Sequence, residues 1–566
     1  MSESPVAGMY DVVVAGSGAG GLAAAVTAAR AGLDVLVLEK ADVVGGTTAR
    51  SGGVLWLPGN HLTKGDDPDT DRAQAREYIR ELAGNGFDAD RVDAFLNNAA
   101  DMARFFEDET EVAFAPQPQF PDYHPEVAGA SEGGRSVVAA PYDGRELGGE
   151  LKRLRPPLRE ITFVGMMFNA SQEVQHFFRA TRSLKSAIYV AKRLMIHGWE
   201  LARHGRAMRL TNGNALAARL FASALRNGVE VRTGCGISTL MIREGEVRGV
   251  VTEDGETIEA RRGVVLATGG FPRDLARQMK LFPHVHGSHR HSSPAPETNT
   301  GGGLCAAEEA GASVETRVVQ PAAWIPVSLV PDKNGPPGVF PHLVDRYKPG
   351  LIAVTPDGRR FVNEADSYHV FGQAMLRECE KDGEVYAWLL ADSRALNRYG
   401  LGMAKPFPVP HGHHLRSGYL KKAAGLEGLS REIGCDPDVL TNTIYEYNLG
   451  ARNGEDRQFG KGSTPYNRYL GDSGHSPNPC VAPFADAPFY AVRLVMGDLG
   501  TFAGLRADAH ARVLGADGSP IRGLYAAGND LASVMGGAYP AGGITLGPAM
   551  TFGYIAAHHM AAEDSS

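Results

Sequence analysis

The stretch from Asp11 to Glu39 constrains the fold more than any other part of the chain. Val12, Val13, Val14 and Ala15 make a short β-branched run, as in a strand buried on both faces. Gly16-Ser17-Gly18-Ala19-Gly20-Gly21 follows, then a helical pattern from Leu22 to Ala31 that breaks at Gly32. A second apolar run, Val35 to Leu38, ends in Glu39. Together these form a βαβ unit with G-x-G-x-x-G at Gly16, Gly18 and Gly21. The three glycines serve a tight turn, close approach of the backbone to a pyrophosphate, and packing of helix on strand. Free N–H groups and the positive dipole end at the helix start favour that pyrophosphate. Glu39 stands where an acid accepts hydrogen bonds from an adenosine ribose, so the segment predicts a dinucleotide site.

At 566 residues the chain exceeds what one hydrophobic core can fill, so more than one domain is expected. A net charge of −8 gives no electrostatic support for nucleic-acid binding. Five scattered cysteines, none in C-x-x-C spacing, argue against a disulfide framework, a zinc ribbon, an iron–sulfur cluster or a c-type haem. Reduced thiols and a cytoplasmic location are expected. The first residues show no basic segment leading into an apolar core, and no apolar run is long enough to span a bilayer.

Downstream of Glu39 come Lys40, Gly45-Gly46-Thr47-Thr48 and Ser51-Gly52-Gly53. This pattern resembles the second cofactor-contact segment of the FAD oxidoreductases that include fumarate reductase flavoproteins and 3-ketosteroid dehydrogenases. The resemblance implies non-covalent FAD, with no part for NAD. Gly263 to Gly270 reads as a buried strand entering a glycine turn, and Ala267-Thr268-Gly269-Gly270 resembles the A-T-G-G segment of that superfamily. Gly523 to Asn529 resembles its last FAD-binding strand and turn, which adds Gly528 and Asn529. A helix is expected from Pro548 to Met560, preceded by Gly542, Gly543 and Gly547. Its start, with Gly543 and Leu546, would face the pyrimidine end of the flavin and stabilise the anionic reduced form.

The implied fold is α/β: a Rossmann-like FAD-binding domain over 1–322 and 491–566, with an inserted α+β catalytic domain over 323–490. Within the insertion, Leu351 to Val354 reads as a strand. Pro356-Asp357-Gly358 then reads as a turn and Arg360-Phe361-Val362 as the returning arm of a hairpin. Arg360-Phe361-Val362-Asn363-Glu364 is widespread in the superfamily and does not select a substrate.

Three tyrosines do discriminate. Phe120-Pro121-Asp122-Tyr123 resembles the segment that supplies an active-site tyrosine in 3-ketosteroid Δ1-dehydrogenases. Asn363-Glu364 with Tyr368 resembles the segment carrying their catalytic base. Gly537-Ala538-Tyr539-Pro540-Ala541-Gly542-Gly543 resembles Tyr-Pro-Gly-Pro-Gly, with Ala541 and Gly542 replacing Gly-Pro. Phe502 stands where the family commonly has lysine. The resemblance implies that Tyr539 and the Gly543 amide clamp a ketone. Tyr368, as phenolate supported by Tyr123, then takes a proton from steroid carbon 2, and the carbon 1 hydride goes to flavin N5. The rivals are a fumarate-reductase-like enzyme, a Δ4-ketosteroid dehydrogenase, and a non-catalytic flavin-binding or membrane-adaptor protein. The electron acceptor, a quinone or an artificial dye, is not identified by sequence.

Two further clusters stand out. From Leu151 to Arg209 there are twelve Lys/Arg, among them Arg182, against three acids, interleaved with Phe163, Phe168, Phe177, Phe178, Tyr189 and Trp199. Such a basic amphipathic excursion (151–209) reads either as an ordinary helical excursion with a solvated basic face or as a segment that rests peripherally on an anionic membrane surface. His284, His286, His289 and His291, and His411, His413 and His414, lie among glycines and prolines. They are expected to form polar loops and hold no metal.

Overall fold

The computed structural model describes residues 6–63, 67–168, 173–181 and 183–562. The first strand, Val6–Ala15, runs parallel to Thr257–Leu266 on one side. On the other side it runs parallel to Val35–Glu39. Glu230–Thr233 extends this row at one end and Pro520–Ala526 at the other, so segments far apart in sequence share one parallel sheet. The inner strands are apolar along their length because both faces are covered, as Val12, Val13, Val14, Leu36 and Val37 show by their complete burial. The helix Ala19–Arg30 leaves the first strand through Gly16, whose φ is +108°. A Cβ there would sit 2.2 Å from the Ala267 carbonyl oxygen, so only glycine permits this turn beside the neighbouring strand.

A second, antiparallel sheet runs in the order Gly338–Pro341, Ala322–Val330, Phe489–Thr501, Glu384–Ala391, Leu351–Val354. The architecture is α/β, with the parallel row and this antiparallel sheet as its two main sheets. Phe489–Thr501 pairs with Glu384–Ala391 along its first half and with Ala322–Val330 along its second, so the expected return at 491 falls within a strand of this sheet.

Three local expectations are corrected. Arg360-Phe361-Val362 forms no returning strand; Leu351–Val354 pairs with Glu384–Ala391 instead. Arg360 turns inward, where Glu364 and Asp456 pair with it at 2.8 and 2.7 Å, and a buried guanidinium needs those carboxylates more than the hairpin needs its arm. The C-terminal helix spans Leu546–Ala562, so Gly547 and Pro548 lie inside its first turn. Three of the expected loop histidines are buried: His284 meets His291 at 2.9 Å, His291 meets Asp498 at 2.6 Å, and His414 lies with His413 in the short helix Gly412–Arg416.

The basic excursion contains the helix Leu184–His204, begun by Ser183 accepting from the Ser186 N–H and ended by Gly205 at φ +73°. The Phe178 side chain and Arg182 lie outside the described residues.

Candidate active site

Between the first strand's glycine turn and the start of the C-terminal helix lies a cleft of about 1070 Å³. Of the residues expected to hold the cofactor, Gly16, Ser17, Gly18, Glu39, Lys40, Gly46, Thr47, Thr48, Ser51, Ala267, Thr268, Gly269, Gly528, Asn529 and Leu546 line it. Gly21, Gly45, Gly52, Gly53 and Gly543 do not. Gly21 packs the helix onto the Gly16 carbonyl, where a Cβ would approach to 2.0 Å. The glycine floor, an acid at the ribose position and hydroxyls along one wall suit the adenosine, diphosphate and ring system of FAD.

Local hydrogen bonds fix this cradle. Glu39 accepts from the Ser17 N–H at 3.0 Å and from the Ser17 hydroxyl, and Ser17 Oγ in turn accepts from the Gly45 N–H at 3.0 Å. Ser17 therefore orients the ribose acid, and its proton is already given to Glu39. Lys40 points outward and donates to Glu253 at 2.7 Å. Sequence reasoning missed two residues here. Asn299 donates to Thr47 Oγ1 at 3.1 Å and to the Gly269 carbonyl at 3.2 Å, bridging two glycine turns. Asp530 accepts from Gly270 N–H at 2.8 Å and from Thr268, joining the A-T-G-G turn to the last strand. Burial pushes the Asp530 carboxyl up. Its signal was an acid directly after Gly528-Asn529; Asn299 had none.

The three singled-out tyrosines meet. Tyr368 is the first residue of the helix Tyr368–Glu378, held in place by Ser367, whose Oγ accepts from the Val370 N–H. Its hydroxyl lies 2.6 Å from that of Tyr539 and 3.1 Å from that of Tyr123. Tyr123 is tied to the same turn as Tyr539, because its N–H donates to the Pro540 carbonyl at 2.8 Å. The Tyr123 and Tyr539 rings are stacked, 5.6 Å apart and inclined by 7°. All three are buried.

Gly543 follows Tyr539 by one turn, with φ +103° and room for no side chain: a Cβ would lie 2.5 Å from Trp56 N. Its carbonyl accepts from the Trp56 and Gly547 N–H groups, and its own N–H has no protein acceptor among the described residues. A buried donor without a partner is costly, which suits an N–H reserved for a ligand oxygen.

Burial dominates the electrostatics. It pushes Tyr123 and Tyr368 well above the ordinary phenol range and Tyr539 up to about 12. His369, next in sequence to Tyr368, is pushed down to about 3 by burial and is therefore neutral. Its Nδ1 accepts from the Trp324 N–H at 3.1 Å, which leaves the proton on Nε2. The Phe502 and His369 rings lie 5.9 and 5.5 Å from Tyr539, so the commonly cationic position is here an apolar wall.

These features agree with the comparisons. The FAD binding domain family matches residues 11–546. A 4-oxocyclohex-2-ene-1-carboxylate 5-dehydrogenase of Sinomonas cyclohexanicum is 40% identical over 97% of this chain and 93% of its own. A 3-oxosteroid 1-dehydrogenase of Mycolicibacterium smegmatis is 36% identical over 98% of this chain and 97% of its own. The crystal structure of 3-ketosteroid Δ1-dehydrogenase from Sterolibacterium denitrificans, in complex with 1,4-androstadiene-3,17-dione, superimposes with a TM-score of 0.90 at 35% identity. That match covers 98% of this chain and 100% of the other. The cofactor is FAD, and the chain belongs to the FAD binding domain family, in the group that holds the 3-oxosteroid 1-dehydrogenases and the oxocyclohexane carboxylate dehydrogenases.

Proposed function

We propose that the protein introduces a double bond beside a ring ketone, as the 1,2-desaturation of a 3-ketosteroid. The observation that carries this reading is the meeting of three buried phenols, with the partnerless Gly543 N–H in the same turn segment as Tyr539. The proton next to a carbonyl becomes removable only when charge on the carbonyl oxygen is stabilised. Tyr539 O–H and Gly543 N–H hold that oxygen, each good donor contributing about 3–4 kcal/mol in the transition state. Tyr368, as phenolate, takes the carbon 2 proton, and Tyr123 donates to the phenolate. Bound FAD supplies a hydride acceptor at N5 for carbon 1. An apolar wall of Phe502 and neutral His369 favours an uncharged ketone over the dicarboxylate of a fumarate-type substrate, which calls for cationic clamps.

A second reading rests on the 40% identical relative, whose name specifies a cyclohexenone carboxylate. The same phenols would serve a single-ring keto acid. Anaerobic mixing decides between them: bleaching of the flavin by 4-androstene-3,17-dione, with a 1,4-diene product, supports the steroid reading. Bleaching by 4-oxocyclohex-2-ene-1-carboxylate alone supports the keto acid. Reoxidation of the reduced protein by fumarate, with no bleaching by either ketone, overturns both.

The helix Leu184–His204 completes the proposal. Leu184, Ile188, Met195 and Trp199 are 79, 61, 70 and 59% exposed and share one face, with exposed Lys185, Lys192 and Arg203 along its flank. This face fits an anionic bilayer, the phase in which sterols and a quinone acceptor dissolve. No helix of the described residues is long and apolar enough to cross a membrane.

A further inference from the structure

The phenol cluster does not end at Tyr123. The Tyr466 ring lies 4.5 Å from the Tyr123 ring, inclined by 42°, and its hydroxyl favours the charged form of Tyr123. The Tyr466 hydroxyl is 2.7 Å from that of Tyr347, and Arg346 Nη2 donates to Tyr347 at 3.4 Å. Arg346 has no exposed surface. Its other donors go to backbone carbonyls: Nε to His342 at 3.0 Å, Nη1 to Glu364 at 2.7 Å and to Asp366 at 3.3 Å. No carboxylate pairs with this guanidinium among the described residues.

The Asp345 and Asp366 carboxyls interact with Arg346 without a direct ion pair, and a buried cation balanced so loosely favours negative charge created nearby. The Arg346–Tyr347, Tyr347–Tyr466 and Tyr123–Tyr368 hydrogen bonds can all be oriented toward Tyr368, with the Tyr466 hydroxyl dipole turned to Tyr123 across the ring contact. Aligned donors polarise one another, so the last oxygen is the best place in the cluster for a negative charge. Tyr368 needs this help, because burial works against its ionisation and the groups facing it directly are Tyr123 and Tyr539. At the other end Tyr347 faces Arg346, Tyr466 and Asp366. Arg346 favours the charged form of Tyr347 and of Tyr466.

We infer that Arg346, Tyr347 and Tyr466 are positioning residues whose aligned hydrogen bonds, delivered through Tyr123, hold Tyr368 as a phenolate. This rests on the proposed role of Tyr368 as base.

The test uses the FAD-loaded full chain with 3-fluorotyrosine at position 368, its fluorine shift followed against pH. Tyr466→Phe and Tyr347→Phe keep the ring and remove one link each, which spares the fold as Arg346→Met would not. The expected result is a rise in the position-368 midpoint of about half a pH unit or more, about threefold in the ionisation equilibrium, in both variants. The pH profile of flavin reduction should move by the same amount while its alkaline plateau stays. A midpoint unchanged in both variants overturns the inference. The fluorine titration needs no turnover: a midpoint that moves in a protein whose flavin no ketone bleaches sustains the chain and sinks the proposed desaturation.

Discussion

The hydroxyls of Tyr368 and Tyr539 lie 2.6 Å apart in a buried cluster, close enough that a single proton sits between them. Tyr368 donates to Tyr539 there, which leaves the Tyr539 proton free for a bound carbonyl, while Tyr368 must give up its own proton before it can act as a base. Tyr123, at 3.1 Å, is the donor that remains. Division of labour in this pair follows from the count of protons, and it makes each hydroxyl testable alone.

Tyr368→Phe keeps the ring contacts and removes the base. The flavin spectrum should be unchanged, while the rate of flavin bleaching by ketone falls by about 10²–10⁴-fold, the range for loss of a positioned general base. Anaerobic stopped-flow absorbance reads both. An unaltered rate would assign proton removal elsewhere.

Tyr539→Phe removes one donor to a developing oxyanion, and a loss of about 10²–10³ in kcat is expected. The donor matters more in the transition state than in the ground state, so KM should change much less. A variant that raised KM alone would make Tyr539 a mere binding contact.

The pH dependence has a definite sign. Burial holds Tyr368 above the ordinary phenol range, so its base form grows as pH rises and flavin reduction should accelerate on the alkaline side. His369, at about 3, is neutral throughout and adds no step near neutrality. Rates of flavin reduction against pH check this; a decline above neutral pH in stable enzyme would contradict a phenolate base.

The βαβ unit was legible because each glycine answers a backbone need that sequence spacing alone encodes: Gly16, Gly18 and Gly21 fall where turn, ligand and helix packing require them. Tyr123, Tyr368 and Tyr539 were legible through motif context, though their convergence is a tertiary fact. Tyr466 and Tyr347 carried no signal, since a lone tyrosine in sequence is indistinguishable from a packed ring. Asn299 was hidden for the same reason. The hairpin at Pro356 was misread because period-two reasoning gives no weight to the charge of Arg360, which Glu364 and Asp456 draw into the core.

Two cofactor-segment residues should behave oppositely. Gly16→Val places a branched side chain where even a Cβ meets the Ala267 oxygen at 2.2 Å, at a φ of +108°, so the protein should purify without flavin colour. Lys40→Ala breaks an exposed pair with Glu253, worth about 0–1 kcal/mol, and should retain FAD. Flavin content per chain after gel filtration separates the two outcomes. Loss of flavin from the lysine variant would show that Lys40 reaches the cofactor.

The helix Leu184–His204 offers the last test. Its face of Leu184, Ile188, Met195 and Trp199 is apolar, outward and flanked by cations, and neither feature alone would select a membrane. Apolar burial contributes about 25 cal/mol per Å², while the cations add attraction to anionic lipid that salt screens. The protein should therefore co-sediment with vesicles containing phosphatidylserine at low salt, less at high salt, and little with neutral vesicles. Ile188→Glu with Met195→Glu should cut co-sedimentation at least about tenfold, because it removes apolar area and adds repulsion. Flavin reduction by dissolved ketone should stay unchanged, since these side chains point outward. If the wild type ignores anionic vesicles yet its gel-filtration mass halves on introducing the two glutamates, the face joins two copies of the chain, and the bilayer reading falls.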